Sequence, residues 1–497
     1  MRVPAAALRV GPARLAESVA GQVHSGGRFV GLFATATSDQ TCLLQAVVAV
    51  GDRLELTEAE LSPGQSSYPS LTPLVAPAAW YEREIHDLFG IEPAGHPRLD
   101  PLVLPLADRS RRPRPGESSE PAEVELDTSP LPGHVTGEGV FTIPYGPVRS
   151  GVFESVEYLV ETSGEEIPHL RTRVYHKHRG LDRRFGSLGL EEAVLLAERV
   201  EGTSSVAHAL AFSQAIEALS GTEAPRAAQL ARVVHAELER IAAHLDSMVR
   251  HAEGAGQAVA QARLSLHKEE VLRLRARLCG HRFGRGVVVP GGVSGGLELE
   301  AGEALARLNQ LEARLAADTR ALMETASFLD RLRGTGVLPR ELVESHGALG
   351  PLGRGSGLAG DVRRERPYGG YRFLGFETAA GFREGDALSR QRVRVFEIGQ
   401  AFHLVRQALD ELADSKDPTW AEVLEPVSGW SLASVEAPQG ELVYLVQVEG
   451  GRLCRVKPRS ASFHNLALFS HAFSKDIFTD FVFIEASFGL SIAGVAG

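Results

Sequence analysis

Cysteine is almost missing from this chain. Only Cys42, Cys279 and Cys454 occur in 497 residues. They lie far apart and form no C-x-x-C spacing, so the pattern supports neither a disulfide framework nor a local zinc or iron-sulfur site. If electrons pass through this protein, another subunit must carry the clusters. Long hydrophobic runs are also lacking: none reaches the roughly 18 residues that span a bilayer, so the chain reads as soluble or peripheral with no transmembrane span. Arg2, Arg9, Arg14 and Glu17 interrupt any apolar stretch at the start, which leaves no signal-peptide pattern and predicts a cytoplasmic location. A basic balance is absent as well. The net charge of -11 argues against nonspecific nucleic-acid binding, which needs a basic face to displace counterions from phosphates. It leaves room for a docking face toward a protein partner.

The length suffices for two or three domains with ample cores. Residues 1–106 read as a small α/β domain. Arg28 to Thr37 and Thr41 to Val50 are β-rich runs with a turn at Ser38-Asp39-Gln40. A short amphipathic helix follows near Trp80 to Ile91, burying Tyr81, Ile85 and Leu88, with Trp80, Glu84 and Asp87 on a stripe expected to be solvated or paired. Residues 107–137 carry Pro113, Pro115, Pro121, Pro130 and Pro132 among polar residues, a composition that reads as a linker or surface strap. The second domain is 138–497.

Helical spacing dominates that second domain. After the Gly202-Thr203-Ser204 break, His208, Ala211, Phe212, Ala215 and Leu219 recur on one face, which sets His208 in the first turn facing inward. A helix opening at Pro225 carries Leu230, Val234, Glu237, Ile241, His244 and Met248 along one seam. Glu237 and His244 are thus polar groups on an apolar stripe, either satisfied structural residues or members of a proton relay. Further helices are predicted over Gln257 to Cys279, Ala304 to Arg333, and from Gly385-Asp386 through Leu412, packing as an antiparallel bundle. The glycines of 280–286 and 290–293 form no phosphate cradle, because no Lys-Ser/Thr follows and no G-x-G-x-x-G opens a helix. Glu441 to Val448 and Arg452 to Arg459 form a hairpin at Gly450-Gly451. The fold class is therefore α+β: a small α/β N-terminal domain joined to a mainly α-helical bundle with peripheral β-hairpins.

Several stretches resemble known families. Glu198 to Glu217 is similar to the first nickel-binding loop of the large subunit of energy-converting nickel-iron hydrogenases of the formate hydrogenlyase kind, with the pattern Arg-x-Cys-Gly-x-Cys and then Ala-His. Arg199, Gly202, Ala207 and His208 match, while Glu201 and Ser204 stand at the cysteine positions. The second nickel motif, Asp-Pro-Cys-x-x-Cys, lines up with Gly489 to Gly494, so all four thiolates are absent. Trp80 to Ile91 with Gly95 to Leu99 resembles the C-type peripheral-arm protein of NADH-quinone oxidoreductase (complex I), and from Thr142 the chain resembles the D-type protein of the same arm. Where the quinone-reducing branch places two histidines and a tyrosine at the quinone headgroup, this chain has Arg149, Phe153 and Gly202.

The resemblance implies a peripheral subunit on the cytoplasmic face of a membrane-attached complex. Its neighbours would be a small iron-sulfur subunit and membrane subunits, with a quinone as one acceptor and no cofactor bound by this chain. The departures bear on both chemistries. Nickel needs soft thiolates, and quinone reduction needs a proton donor that Phe and Gly do not supply. The expected hollow is lined by Glu201, Ser204, His208, Ser487 and Ser491, with no metal held, and Asp361 and Arg364 either reach it or lie on an exposed basic turn. A desolvated Glu201 there favours proton uptake, provided that it is buried and within about 10 Å of Ser491. Three readings follow: an oxidoreductase subunit with quinone-related electron transfer coupled to ion translocation, a redox-inactive scaffold anchoring an ion-translocating membrane arm, and a true nickel hydrogenase as a distant third.

Overall fold

The computed structural model describes residues 7–36, 41–106, 125–127, 133, 135, 137, 139–149, 154–423 and 425–497. The turn Ser38-Asp39-Gln40, most of the Pro-rich stretch and Phe153 lie outside the described residues. The chain is α+β, as its patterning predicts.

The N-terminal sheet has strands β1 (Leu8–Val10), β2 (Arg28–Ala36), β3 (Cys42–Val50) and β4 (Arg53–Leu61) in the order β1-β4-β3-β2. Helix α1 (Leu15–His24) buries Leu15, Ala16, Val19 and Ala20. Helix α2 (Ala79–Phe89) ends at Gly90, whose positive φ of 73° closes the turn without a Cβ penalty. Its acidic residues are not solvated, because each carboxylate is spent on a buried partner. Glu82 accepts from the backbone N–H groups of Leu71 and Thr72 at 2.8 and 3.1 Å. Asp87 accepts from Leu102 and Val103 at 2.7 and 2.9 Å, and Glu84 pairs with Lys457 at 2.7 Å. The helix is a clamp for the loops around it.

A second sheet follows, with β5 (Phe141–Tyr145), β6 (Glu157–Thr162) and β7 (His169–Arg173) antiparallel. The helical core comprises α3 (Ser205–Ser220), α4 (Arg226–Gly254), α5 (Ala258–Cys279), α6 (Ala301–Met323), α7 (Ala326–Leu332) and α8 (Ala387–Ala413). Helix α8 starts where Asp386 accepts from Ser389 N–H at 2.8 Å, an ordinary N-cap. The single helix predicted over 304–333 is two. The backbone of Thr325 is extended, its hydroxyl bonds the Ala321 carbonyl, and the redirected α7 buries Phe328 and Leu332.

The C-terminal hairpin is a three-stranded sheet, β8 (Gly429–Ala437), β9 (Gly440–Glu449) and β10 (Arg452–Arg459). Helix α9 (Phe481–Phe488) and a last turn at Ala493–Ala496 complete the chain. The N-terminal sheet does not stand apart from this half. Val30, Phe33, Val47 and Leu56 pack on Leu432, Val443 and Leu445, while the other sheet face joins a core that runs on to Phe463 and Val495. Burial on both faces explains why β2 and β3 read as nearly unbroken apolar runs. Arg28 to Glu441 at 2.9 Å and Tyr81 to His464 at 2.9 Å add polar ties across the same junction.

Candidate functional site

The loop before α3 turns Glu201 inward, where it is 2% exposed. Thr203 Oγ1 donates to its Oε1 at 3.0 Å, and His208 Nε2 stands 3.6 Å from its Oε2. His208, one turn into α3 and fully buried, is bonded through Nδ1 to the Tyr444 hydroxyl at 2.7 Å. Burial first, then the charges of Glu201 and Asp182, push the Tyr444 phenol well up, so it stays protonated. The other ring nitrogen, Nε2, faces Glu201. Ser204 Oγ donates to Gln439 Oε1 at 2.8 Å, and Gln439 Nε2 donates back to Thr203 at 3.1 Å.

The C-terminal segment forms the other wall. A Cβ at Gly494 would lie 2.3 Å from Glu201 Oε2, so the carboxylate rests directly against bare backbone there. Glu201 and the end of the chain therefore pack against each other in the interior. Ser491 is buried with its hydroxyl on Glu154 at 2.8 Å, and Glu154 also accepts from Ala493 N–H at 3.3 Å and from Ile492 N–H. Arg179 joins the two walls by donating to the carbonyls of Arg199, Val200 and Ala493 at 2.9, 2.6 and 2.9 Å.

Two expected lining residues are elsewhere. Arg364 is exposed, with one long contact to the Phe376 carbonyl at 3.5 Å. Asp361 caps the single turn Val362–Glu365 and draws Arg363 inward instead, at 2.7 Å. In so short a helix, one position decides inside from outside. Ser487 is buried on α9, but its hydroxyl lies between Arg390 Nε at 2.9 Å and the Ile484 carbonyl at 2.7 Å.

The same half of the chain holds a buried ionic network. Glu237 receives Arg240 at 3.0 Å and Arg363 at 3.0 and 3.2 Å. Burial pushes its carboxyl up, but the two guanidiniums and the Tyr371 hydroxyl outweigh that and leave it below the usual range. Such a group stays ionised and carries no proton at neutral pH, which favours the structural role over the relay. His244 bonds Glu397 at 2.8 Å, and burial lowers it to about 4 despite that partner. Glu436 is pushed up to about 7 by burial and by Asp361 beside it.

At the position of the first quinone-branch histidine, Arg149 makes a two-pronged bond to Glu485 at 3.0 and 2.6 Å. It also lies over the rings of Tyr145 and Tyr158 at 4.8 and 5.1 Å. Glu154, Arg179, Gln439, Tyr444 and Arg363 escape sequence reasoning. Only Gln439 carried a signal, since the segment Glu436 to Glu441 resembles the stretch by which the family's chain approaches its cavity.

The fold and this site define the class of large subunits shared by respiratory dehydrogenases and hydrogenases. Residues 256–426 and 419–496 match the family described as respiratory-chain NADH dehydrogenase, 49 Kd subunit, and residues 33–111 match the 30 Kd subunit. The chain is 32% identical over 329 residues to the carbon monoxide-induced hydrogenase of Rhodospirillum rubrum, covering 65% of this chain and 90% of that one. It is 27% identical over 426 residues to formate hydrogenlyase subunit 5 of Escherichia coli, covering 82% of this chain and 73% of that one. The C/D subunit of NADH-quinone oxidoreductase from Acidiphilium cryptum gives 27% over 458 residues, covering 82% and 77%. The chain belongs to the family of the 49 Kd subunit and its hydrogenase relatives, with a 30 Kd-type region fused in front.

The residues present do not fit nickel. A carboxylate, hydroxyls and one imidazole replace soft sulfur, and among the described residues no three His, Cys, Asp or Glu side chains converge as a metal site. No helix of the described residues is long and apolar enough to cross a membrane.

Proposed function

We propose that this chain is the peripheral-arm subunit of a membrane-attached, complex I-like or hydrogenlyase-like oxidoreductase, seated on its cytoplasmic face without a nickel site of its own. A small iron-sulfur subunit beside it supplies electrons, and membrane subunits complete the assembly. The observation that carries this reading is the pairing of Glu201 with His208 at 3.6 Å in the former nickel loop. It is an interior acid-base pair, closed off by Gly494 and the C-terminal turn. The pair can hold and hand on a proton to an acceptor such as a quinone reduced by the neighbour's cluster.

A second reading is a coupling scaffold without redox turnover, favoured by Arg149. Its two terminal guanidinium nitrogens are held by Glu485, and two tyrosine rings lie under it, at the place where the quinone branch puts a headgroup ligand. Purification of the intact complex, with mass spectrometry of its subunits, iron and nickel analysis and a quinone-reduction assay, tests both. Iron, a cluster-bearing neighbour and turnover support the first reading. A neighbour without turnover supports the second, and stoichiometric nickel overturns both.

A further inference from the structure

Away from the Glu201 site, helices α6 and α8 run antiparallel and leave an open-sided cleft of about 250 Å³ between them. Its walls are Leu315, Thr319 and Met323 from α6 and Val395, Ile398 and Phe402 from α8. All but Thr319 are apolar, and Leu315, Ile398 and Phe402 are buried. At one end Glu312 is held by Arg406, which also donates to Asn309 Oδ1 at 3.2 Å, so that acid is neutralised. The other end is positive. Arg320 lines it, exposed and without an ion pair or side-chain hydrogen bond among the described residues. Arg392, exposed one turn before Val395, adds a further positive charge at that end.

We infer that this cleft binds a single acyl chain with an acidic head, the chain lying between α6 and α8 and the carboxylate meeting Arg320. Volume sets the chain. An apolar cavity of about 150 Å³ already holds benzene, and at about 30 Å³ for each water-sized group the 250 Å³ here takes roughly eight carbons. A lipid with two tails would have to draw the second into water, losing about fourfold in affinity for every exposed methylene. The occupant is therefore a free medium-chain acid. Met323, unbranched and flexible, adapts the wall to such a chain. Charge sets the head: Glu312 is already met by Arg406, which leaves Arg320 to be paired, and an ammonium head would be repelled.

The cleft shares no residue with the Glu201 and His208 pair, so the two ideas fail separately. Isothermal titration calorimetry of the full chain with straight-chain acids from butanoate to dodecanoate, and with methyl octanoate and octylamine, tests this one. The affinity should rise about fourfold with each methylene and level off at about eight carbons. Octanoate should bind about two- to fivefold tighter than its methyl ester, the margin of an exposed ion pair. Arg320→Gln should keep the dependence on chain length and lose the preference for the acid. Gly399→Leu fills the cleft from α8. A Cβ there meets nothing within 4 Å and Leu favours a helix over Gly, so the variant should fold, yet bind octanoate about tenfold or more weakly. An affinity that ignores chain length overturns the proposal, as does a Gly399→Leu variant that binds like the parent. Octylamine bound as tightly as octanoate overturns the acidic head. If Gly399→Leu fails to fold by circular dichroism, the chain-length series on the parent decides by itself.

Discussion

Replacing Glu237 by Gln separates a structural carboxylate from a proton relay. The amide keeps the shape and still accepts a bond, but removes the negative charge that faces Arg240 and Arg363. Breaking a buried pair by removing one partner costs about 3–5 kcal/mol. The low end applies, because Arg363 keeps Asp361 at 2.7 and 3.0 Å and Arg240 keeps the Glu436 and Ala437 carbonyls at 2.7 and 3.1 Å. Unfolding entropy of roughly 2.1 cal/mol/K per residue gives about 1 kcal/mol/K for 497 residues. The expected loss of about 3 kcal/mol therefore lowers the melting temperature by only about 3 °C. The carboxyl is held low in the folded state, so its contribution is fully present above the unfolded pKa and is lost as pH falls through the folded value. The difference between E237Q and the parent should accordingly shrink in acid. Differential scanning calorimetry at neutral and acid pH measures both. A variant as stable as the parent but without turnover would refute the structural assignment and restore Glu237 as a relay.

Arg363→Ala should cost about 3–5 kcal/mol by stranding Asp361 and Glu237, whereas Arg364→Ala should stay within about 0.5 kcal/mol; paired denaturant melts show the contrast, and equal effects would undo the placement. Acid should destabilise the fold through its buried neutral histidines. Burial lowers His235 and His251 to about 3, and His244 and His346 to about 4. The unfolded chain binds these protons near pH 6.5 and the folded one does not, so stability is full above about 6.5 and falls as pH drops toward 4, by roughly 1.4 kcal/mol per histidine per unit. Denaturant midpoints that stay flat between pH 6.5 and 5 would contradict this.

The helices were legible where periodicity is long. The seam of α4 and the Asp386 cap of α8 follow from spacing and from one side chain each, local causes that a sequence displays directly. The break at Thr325 was not legible, because it depends on where Phe328 and Leu332 find a core. The acidic stripe of α2 is paired, one of the two outcomes its pattern allows, but its partners were not legible for a related reason: Asp87 meets bare amides only when the loop 102–104 folds back, and Glu84 meets Lys457 from the far end of the chain.

The sequence by itself determined which atoms are available: oxygen and nitrogen at Glu201, Ser204 and His208 in place of sulfur, and no thiol pair anywhere along the chain. Which of those atoms meet was settled only in three dimensions. Glu201 reaches Gly494 across nearly three hundred positions, and Glu239 reaches the amides of Val206 and Ala207 from another helix. Residue type is a property of one position, whereas a buried charge takes its partners from whatever the packing brings within about 3 Å of it.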